Sequence, residues 1–309
     1  MMKILVLGGS YFLGKAFVNL VGNELNKKDI INEDWHITVL NRGNRPLDIE
    51  NIEQLRMDRH DEAALRGLSG RHFDVVVDFC AYEAQDIRLL YEKGGISTEQ
   101  YILISTVDVY RRNTGICLDE ASEYETRQFA GPQGAYISGK IDVEKELIAL
   151  AEQEGFRYTI FRPAIIYGPD NYAPRESIYL RWITEAGQIL HPVDATGHFQ
   201  LVYVGDVAKA IMLAMGNEMA YNRCFNLCGK ELVTYDSWYE TLKKLFSAEA
   251  GLSFERIDVP VETVIEKNIP LPFPLLKEES EWYDGSAVES MGLNYTDLYM
   301  GLKYTFGMI

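Results

Sequence analysis

Short apolar runs alternate with helix-like patterns along the first half of the chain. The strand-like runs are residues 3–8, 36–43, 53–58, 72–81, 100–110 and 157–164. Apolar residues recur at helical spacing over 12–25, 61–68, 84–94 and 135–155. Alternating strands and helices predict a parallel sheet with helices on both faces, that is, an α/β fold of the Rossmann-like, doubly wound kind.

The second half of the chain is less regular. Helices are predicted over 176–187, 206–216, 234–251 and 294–306, a strand over 224–229, and an irregular proline-spaced connection over 269–276. We predict a dinucleotide-binding domain over 1–165 and a smaller C-terminal substrate-binding region over 166–309. Segments near 198–228 are expected to return to the first domain, and the polar residues 26–34 predict a surface insertion.

Charge narrows the classes of partner. The 309 residues carry a formal net charge of −16, so the chain repels nucleic-acid backbones and anionic membrane surfaces. No apolar run is long enough to span a bilayer, and the N-terminal residues do not form a signal peptide. We therefore expect a cytoplasmic protein that binds a small-molecule substrate and has neither a nucleic-acid nor a membrane partner.

Cysteine and histidine spacing gives no sign of a metal site. The four cysteines form no C-x-x-C pair, which fits a reducing compartment without a disulfide framework. The five histidines form no H-x-x-E or H-E-x-x-H group. We therefore expect no bound metal.

The segment "LGGSYFLGKA" follows the first strand and opens the first helix, so it is a candidate phosphate-binding loop. As a dinucleotide fingerprint it has Gly9 and Gly14, with Tyr11 where a glycine often stands. As a P-loop it has Lys15, but Ala16 lacks the hydroxyl that Mg²⁺ requires. The P-loop alternative also leaves the remaining motifs unexplained, so we favour the dinucleotide loop.

A second motif predicts proton-transfer chemistry. Tyr136 and Lys140 are four residues apart on a predicted helix and therefore share one face. An ammonium beside a phenol favours the phenolate and lowers the phenol pKa, so that it can take a proton from an alcohol during hydride transfer. Ser105 and Thr106, near the end of the preceding strand, offer hydroxyls to the same oxygen. A Tyr-x-x-x-Lys pair also arises by chance on solvated helices. The prediction therefore depends on this pair together with the Ser105 and Thr106 hydroxyls.

Five segments in this order resemble the NAD-dependent epimerase/dehydratase group of extended short-chain dehydrogenases/reductases. They are "ILVLGGSYFLG", "ILISTVDVY", "YISGK", "FRPAIIYGPDN" and "FQLVYVGDVAKAI". The resemblance spans nearly the whole chain and implies an NAD(P)-dependent oxidoreductase or epimerase acting on a hydroxyl or carbonyl carbon. A nucleotide sugar is a candidate substrate.

The glycine loop is similar to the "GGT-x-FLG" variant found in chloroplast stem-loop-binding proteins, which bind RNA and lack an intact Tyr-x-x-x-Lys pair. This chain keeps that pair and is acidic, which favours redox chemistry. A dinucleotide-binding regulatory module, or an RNA-binding module, without turnover is the alternative. The family often dimerises through the helices near 84–94 and 135–153, so a homodimer is a further possibility.

The resemblance also assigns catalytic roles. Tyr136 would be the general acid/base, and Lys140 would lower the pKa of Tyr136 and hold the nicotinamide ribose. Thr106 aligns best with the catalytic hydroxyl, and Ser105 stays as the alternative. Dehydratases follow this threonine with Asp-Glu, whereas here Val107-Asp108 follows, which argues against sugar dehydration.

A cofactor cleft is implied by the same resemblance. Its expected residues are Gly8, Gly9, Ser10, Tyr11, Phe12, Leu13, Gly14, Asn41, Arg42, Asp58, Arg59, Phe79, Cys80, Ala81, Tyr136, Lys140, Pro163 and Ile166. An acid usually ends the second strand of an NAD enzyme, where it binds the ribose 2′-hydroxyl. Arg42 in that place could bind a 2′-phosphate, so NADP is favoured over NAD. The alternative is that Arg42 simply faces solvent.

Overall fold

The computed structural model describes residues 1–26, 35–45, 47, 49–113 and 115–308, so the predicted insertion over 26–34 lies almost entirely outside the described residues. The strands are β1 (Met2–Leu7), β2 (Trp35–Asn41), β3 (Ile52–Arg56), β4 (His72–Asp78), β5 (Ser97–Ile104), β6 (Arg157–Pro163), β7 (Ile165–Tyr167), β8 (Gln188–Pro192), β9 (Leu201–Tyr203), β10 (Arg223–Leu227) and β11 (Glu255–Val259). The helices are α1 (Phe12–Asn26), α2 (Glu62–Leu65), α3 (Ala84–Glu92), α4 (Gly131–Glu154), α5 (Glu176–Arg181), α6 (Val204–Ala214), α7 (Tyr235–Leu245), α8 (Val261–Glu266) and α9 (Leu298–Thr305).

Seven parallel strands form the central sheet in the order β3-β2-β1-β4-β5-β6-β10. The predicted Rossmann-like fold is confirmed. The direction of strand succession reverses between β1 and β4, which pair with Leu7 opposite Asp78. In such sheets the ligand crevice opens at the carboxyl ends of the strands on either side of this reversal.

Apolar residues bury both faces of the central strands, as a parallel sheet covered by two helical layers requires. Val6 and Val77 pack with residues of α1 and α6 on one face, whereas Leu5 and Val76 pack with residues of α3 and α4 on the other. A separate aromatic cluster around Trp238 fills the C-terminal region. Within the described ranges, no helix has the length and apolar character needed to cross a bilayer.

Several elements differ from the sequence prediction. The fifth strand ends at Ile104 rather than at 110, because Thr106 caps a short 3-10 helix, Val107–Val109. The short strands β7, β8, β9 and β11, together with α8, were not predicted. From the 198–228 segment, β10 joins the edge of the central sheet and α6 packs against α1. The boundary at residue 165 stays a prediction.

Candidate functional site

One cleft, of about 1080 Å³, opens at the carboxyl ends of the central strands. Its volume is of the order that small-molecule sites occupy. The sequence-predicted residues that line it are Gly8, Ser10, Tyr11, Phe12, Leu13, Gly14, Asn41, Arg42, Asp58, Arg59, Phe79, Cys80, Ser105, Thr106, Tyr136, Lys140, Pro163 and Ile166. The fold therefore brings the glycine loop and the Tyr-x-x-x-Lys pair to the same cavity.

Two predicted cofactor residues, Gly9 and Ala81, do not line the cleft. A Cβ on Gly9 would lie 2.8 Å from Val18 and 2.9 Å from Val39, so this glycine lets α1 pack on the sheet. Ala81 is fully buried, and its carbonyl accepts a hydrogen bond from Lys140. Both residues support the cleft from beneath its surface.

The glycine loop has the geometry of a close strand-to-helix turn. Gly8 adopts φ +86°, a conformation that favours glycine, and a Cβ on Gly14 would lie 2.2 Å from the Gly8 carbonyl oxygen. The N-terminus of α1 therefore comes close to the cleft, where its free N–H groups favour an anion. Lys15 instead directs its Nζ to the Asp170 carboxylate at 2.7 Å, so it does not take the place of a P-loop lysine.

Tyr11 joins three loops at the mouth of the cleft. Its side chain is 40% exposed and stacks on Tyr172, with the ring centroids 5.1 Å apart. The guanidinium of Arg45 lies 4.2 Å from the centroid of the Tyr11 ring. These contacts connect the glycine loop to the loops that follow β2 and β7. The phenol ring is thus held between two protein side chains at the wall of the cleft.

Replacing Tyr11 with Gly should change dinucleotide affinity only modestly and speed dinucleotide release about three- to tenfold, because each stacking contact contributes on the order of 1 kcal/mol. The Tyr11 ring contacts join protein groups to one another and not to the dinucleotide. Their loss should therefore speed both the entry and the release of the dinucleotide. Stopped-flow fluorescence of the reduced dinucleotide measures both rates. Tyr11→Phe is the control, since it keeps the stack; equal acceleration in both variants would contradict this role.

Lys140 connects α4 to the ends of two strands. Its buried Nζ donates hydrogen bonds to the carbonyls of Ala81 and Ile104, each at 2.8 Å. Burial lowers the pKa of Lys140 to about 8. The ammonium also lies 4.8 Å from the centroid of the Tyr82 ring. The lysine is thus fixed in the wall of the cleft that Tyr136 also lines.

The pKa of Tyr136 departs from the sequence expectation. Burial, with the Asp108 carboxylate as a second cause, raises the pKa of the phenol above its usual value. The sequence predicts that Lys140 lowers the pKa of this phenol. The pKa is not lowered, and the Lys140 ammonium instead donates its hydrogen bonds to two backbone carbonyls. The phenol therefore keeps its proton at neutral pH.

Thr106 and Ser105 offer different hydrogen-bonding capacities to the cleft. The Thr106 hydroxyl accepts from the Asp108 backbone N–H at 3.2 Å and donates to the Asp108 carboxylate at 3.3 Å. The Thr106 hydroxyl also interacts with the Tyr136 phenol and acts to lower the phenol pKa. The buried Ser105 Oγ has no partner among the described residues and is free to donate. Which hydroxyl meets the substrate oxygen stays a prediction.

The end of β2 presents hydrogen-bond donors rather than acceptors. Asn41 Oδ1 accepts from the Gly43 N–H at 2.8 Å, which leaves the buried Nδ2 without a partner in the described chain. Arg42 follows as an exposed cation on the wall of the cleft. Asp58, at the next loop, is also exposed and accepts a hydrogen bond from the His60 N–H. This arrangement suits an anionic or oxygen-rich ligand group.

Arg59 supports the cleft through a buried ion pair. Its guanidinium donates to the fully buried Asp78 at 2.9 and 3.0 Å and to Cys80 Sγ at 3.3 Å. Burial alone would raise the pKa of Asp78, but Arg59 holds it below its usual value. With its donors engaged in this way, Arg59 positions the loops after β3 and β4 rather than offering a free cation.

Further lining residues were missed by sequence reasoning. They are Asn44, Arg45, Asp108, Arg112, Asn171, Tyr172, Ala173, Arg175, His198, Glu279 and Glu281. Most stand in loops without a local pattern, so only the tertiary fold brings them here. Two tyrosines that the sequence does single out also line the cleft: Tyr82, just past the fourth strand, and Tyr283, within an acidic run.

A group of potential metal ligands lies at the opposite edge of the sheet, where β4 and β5 begin. Ligand atoms of His72, Asp74 and Glu99 lie within 4.8 Å of one another. The three residues are exposed or half-buried, and acidic groups at a surface commonly lie this close without an ion. We assign no metal site to them.

Comparison with known proteins adds independent findings. A family model described as the NAD dependent epimerase/dehydratase family matches residues 4–228. The chain is 29% identical over 251 residues to the chloroplast stem-loop binding protein of 41 kDa b from Arabidopsis thaliana. That match spans 76% of this chain and 60% of the plant protein, so part of the longer relative has no counterpart in the match.

Solved structures share the fold over almost the whole chain. A UDP-glucose 4-epimerase from Thermotoga maritima, solved with UDP-glucose, superimposes with a TM-score of 0.73 at 20% identity and covers 99% of this chain and 98% of its own. A UDP-glucuronic acid 4-epimerase from Bacillus cereus, in complex with UDP-glucuronic acid and NAD, gives a TM-score of 0.71 at 18% identity with the same coverage.

Proposed function

Because the chain belongs to the NAD dependent epimerase/dehydratase family, we propose that it is an NAD(P)-dependent oxidoreductase or epimerase acting on a hydroxyl or carbonyl carbon of a nucleotide sugar. One observation carries the proposal: the glycine loop, Tyr136 with Lys140, and the Ser105–Thr106 hydroxyls line a single cleft. The UDP-sugars and NAD bound by proteins of similar fold support the ligand classes.

The residues present suit a dinucleotide. The N-terminus of α1 would hold the pyrophosphate, the Asn41 amide and Arg42 the adenosine end, and Pro163 with Ile166 would line the nicotinamide. A bound dinucleotide would supply hydride transfer to and from the substrate carbon.

The chain's own residues would manage the substrate oxygen and its proton. Tyr136 gives its phenolic proton to a carbonyl oxygen that becomes a hydroxyl, and takes it back in the reverse direction. Thr106 or Ser105 orients that oxygen, and the buried ammonium of Lys140 stabilises negative charge on the phenol when its proton has left. The raised pKa of Tyr136 keeps the phenol protonated at neutral pH but makes it a weaker acid, so the reverse step, in which the phenolate takes the proton back, is the easier of the two.

Turnover with a panel of nucleotide sugars tests this proposal. Purified protein with NAD⁺ or NADP⁺ should convert at least one nucleotide sugar to an epimer or to an oxidised product. Chromatography detects the sugar product, and absorbance of the reduced nicotinamide detects net oxidation. Tight dinucleotide binding with no conversion across the panel would instead favour the regulatory alternative.

We further propose NADP as the preferred dinucleotide. The Asn41 amide has a free donor at the adenosine end, and its acceptor oxygen is already engaged by Gly43. Arg42 adds a cation beside it. Residues 41–45, "NRGNR", include no acid that would repel a 2′-phosphate.

Arg42→Ala should weaken NADPH binding about tenfold while changing NADH binding little, because a charge-assisted hydrogen bond contributes about 1.5–3 kcal/mol. Fluorescence titrations with both dinucleotides give the ratio of dissociation constants. Arg66→Ala removes an equal charge from an exposed helix outside the cleft and should leave that ratio unchanged. An equal loss of NADPH and NADH affinity in Arg42→Ala would show that Arg42 does not read the 2′-phosphate.

A non-catalytic binding module is the second candidate function. The plant relative, named as a stem-loop binding protein, favours it. The net charge of −16 opposes binding to a phosphate backbone. A mobility-shift assay with a stem-loop RNA at low and moderate salt distinguishes an enzyme from an RNA-binding module. We expect no shift at either salt concentration.

A further inference from the structure

Asp108, Arg112, His198, Glu281 and Tyr283 line one part of the cleft, here called the end wall. Glu281 influences the ionisation of both His198 and Tyr283, and Asp108 and Arg112 also influence that of Tyr283. These five residues therefore form one neighbourhood. They come from three separate parts of the chain, and the neighbourhood adjoins Tyr136, because Asp108 also raises the pKa of that phenol.

Three buried polar atoms that border this part of the cleft have no hydrogen-bond partner among the described residues. They are Glu281 Oε2, His198 Nε2 and Ser105 Oγ, and the Ser105 residue is only 4% exposed. More than about 90% of buried polar atoms in folded proteins have a partner, because an unmet hydrogen bond is costly. Several buried polar atoms without a hydrogen-bond partner around one cavity therefore indicate a ligand that carries several polar groups.

The end wall holds these atoms in fixed positions. Glu281 uses its other oxygen, Oε1, to accept a hydrogen bond from the Asn113 N–H. The His198 backbone N–H donates to Ser280 Oγ at 2.8 Å, and its ring packs against Trp282 with centroids 5.6 Å apart. Burial lowers the pKa of His198, so its ring is neutral near pH 7. The wall thus offers a carboxylate oxygen and a neutral ring nitrogen to the ligand.

The net charge of the end wall is negative. Arg112 forms a salt bridge with Asp108, so these two charges offset each other. Two further cations act on residues of the wall. Arg127 influences Glu281 but has its guanidinium bound to Glu125, and the exposed Lys277 influences His198 from outside the cleft. No salt bridge to Glu281 is found in the described part of the chain.

The positive charge of Arg175 lies elsewhere in the cleft. Its guanidinium donates to the carbonyl of Ile166 at 3.4 Å, on the loop side that leads to the cofactor. There it suits the phosphates of a nucleotide sugar better than the sugar ring. The unbalanced charge at the end wall is therefore that of Glu281.

We propose that the end wall is a sugar subsite that selects a neutral, hydroxyl-rich hexose and rejects the corresponding uronic acid. This inference rests on the proposed function. Glu281 Oε2 accepts a hydrogen bond from a sugar hydroxyl, and the neutral His198 ring binds a second one. A carboxylate at the same place would meet the like charge of Glu281 in a partly desolvated site, where repulsion is strong.

UDP-glucose and UDP-glucuronic acid are the probes, because they differ only at one carbon of the sugar. Calorimetry on the full chain with saturating dinucleotide should give about tenfold tighter binding of UDP-glucose. Glu281→Gln keeps the side-chain shape without the charge and should narrow the preference to about threefold or less, mainly through better binding of the uronic acid. Glu278→Gln removes an equal charge from an exposed neighbour outside the cleft and should leave the preference unchanged.

A second variant keeps the inference testable if Glu281→Gln does not fold. His198→Phe keeps a ring against Trp282 but removes both nitrogens, and it should weaken UDP-glucose binding about tenfold. Equal or tighter binding of UDP-glucuronic acid to the wild type overturns the inference, as does a preference unchanged by Glu281→Gln. So does UDP-glucose binding that His198→Phe leaves intact. If the dinucleotide binds but neither UDP-sugar does, the subsite fails and the dinucleotide site stands; if the dinucleotide does not bind, the proposed function fails.

Discussion

Tyr136→Phe is expected to lower turnover by about 10²–10⁴-fold while leaving dinucleotide affinity nearly unchanged. In the proposed mechanism the phenol passes its proton to and from the substrate oxygen, and phenylalanine keeps the ring without that proton. Burial and the Asp108 carboxylate raise the pKa of Tyr136, so the wild-type phenol holds its proton at neutral pH. Steady-state turnover, with dinucleotide binding followed separately by fluorescence, gives both quantities.

Tyr82→Phe is the matched control for this prediction. The Tyr82 ring lies 6.3 Å from the Tyr136 ring and also lines the cleft, but its side chain is 52% exposed. Loss of its hydroxyl should change turnover only slightly. Equal losses in the two variants, or full turnover in Tyr136→Phe, would show that Tyr136 is not the proton-transfer residue.

Glu144→Ala should destabilise the protein by about 3–5 kcal/mol, because it leaves a buried guanidinium without its counter-charge. The Glu144 and Arg162 side chains are 0% and 3% exposed, and their closest atoms are 2.6 Å apart. This pair joins the helix that carries Tyr136 to β6. Arg162 also donates to the hydroxyls of Tyr110 and Tyr124, at 2.8 and 2.9 Å. A whole domain is stable by only about 5–15 kcal/mol, so the loss is a large fraction.

Urea denaturation of the wild type and the variant measures this difference. Glu146→Ala on the same helix removes a glutamate paired with Arg88, whose side chain is 55% exposed. That loss should be much smaller, since the Arg88 side chain left behind is exposed to solvent, which screens its charge. If the two variants lose equal stability, the buried pair does not hold the helix that carries Tyr136 in place.

The sequence allows the central sheet and the core of the site to be predicted, because both depend on local patterns. Apolar runs mark β1, β4 and β6 within a few residues of their bounds. The spacing of Tyr136 and Lys140 on one helix needs no tertiary information. The glycine loop follows in the same way from its place between a strand and a helix.

Interactions between distant segments account for what the sequence could not show. Lys140 donates to two backbone carbonyls whose positions depend on the folded sheet, so the direction of the Tyr136 pKa shift could not be foreseen. His198 and Glu281 lie far apart in the chain and have no spacing signal. Strands as short as β7 and β9, three residues each, give too few positions for a period to be detected.

Titration of the wild-type protein with NADPH and NADH, followed by fluorescence, tests the central claim most directly. A dinucleotide cleft at the glycine loop predicts saturable binding of at least one of the two, with a dissociation constant below millimolar and slower release than from Tyr11→Gly. Failure of both dinucleotides to bind in that range would contradict the account.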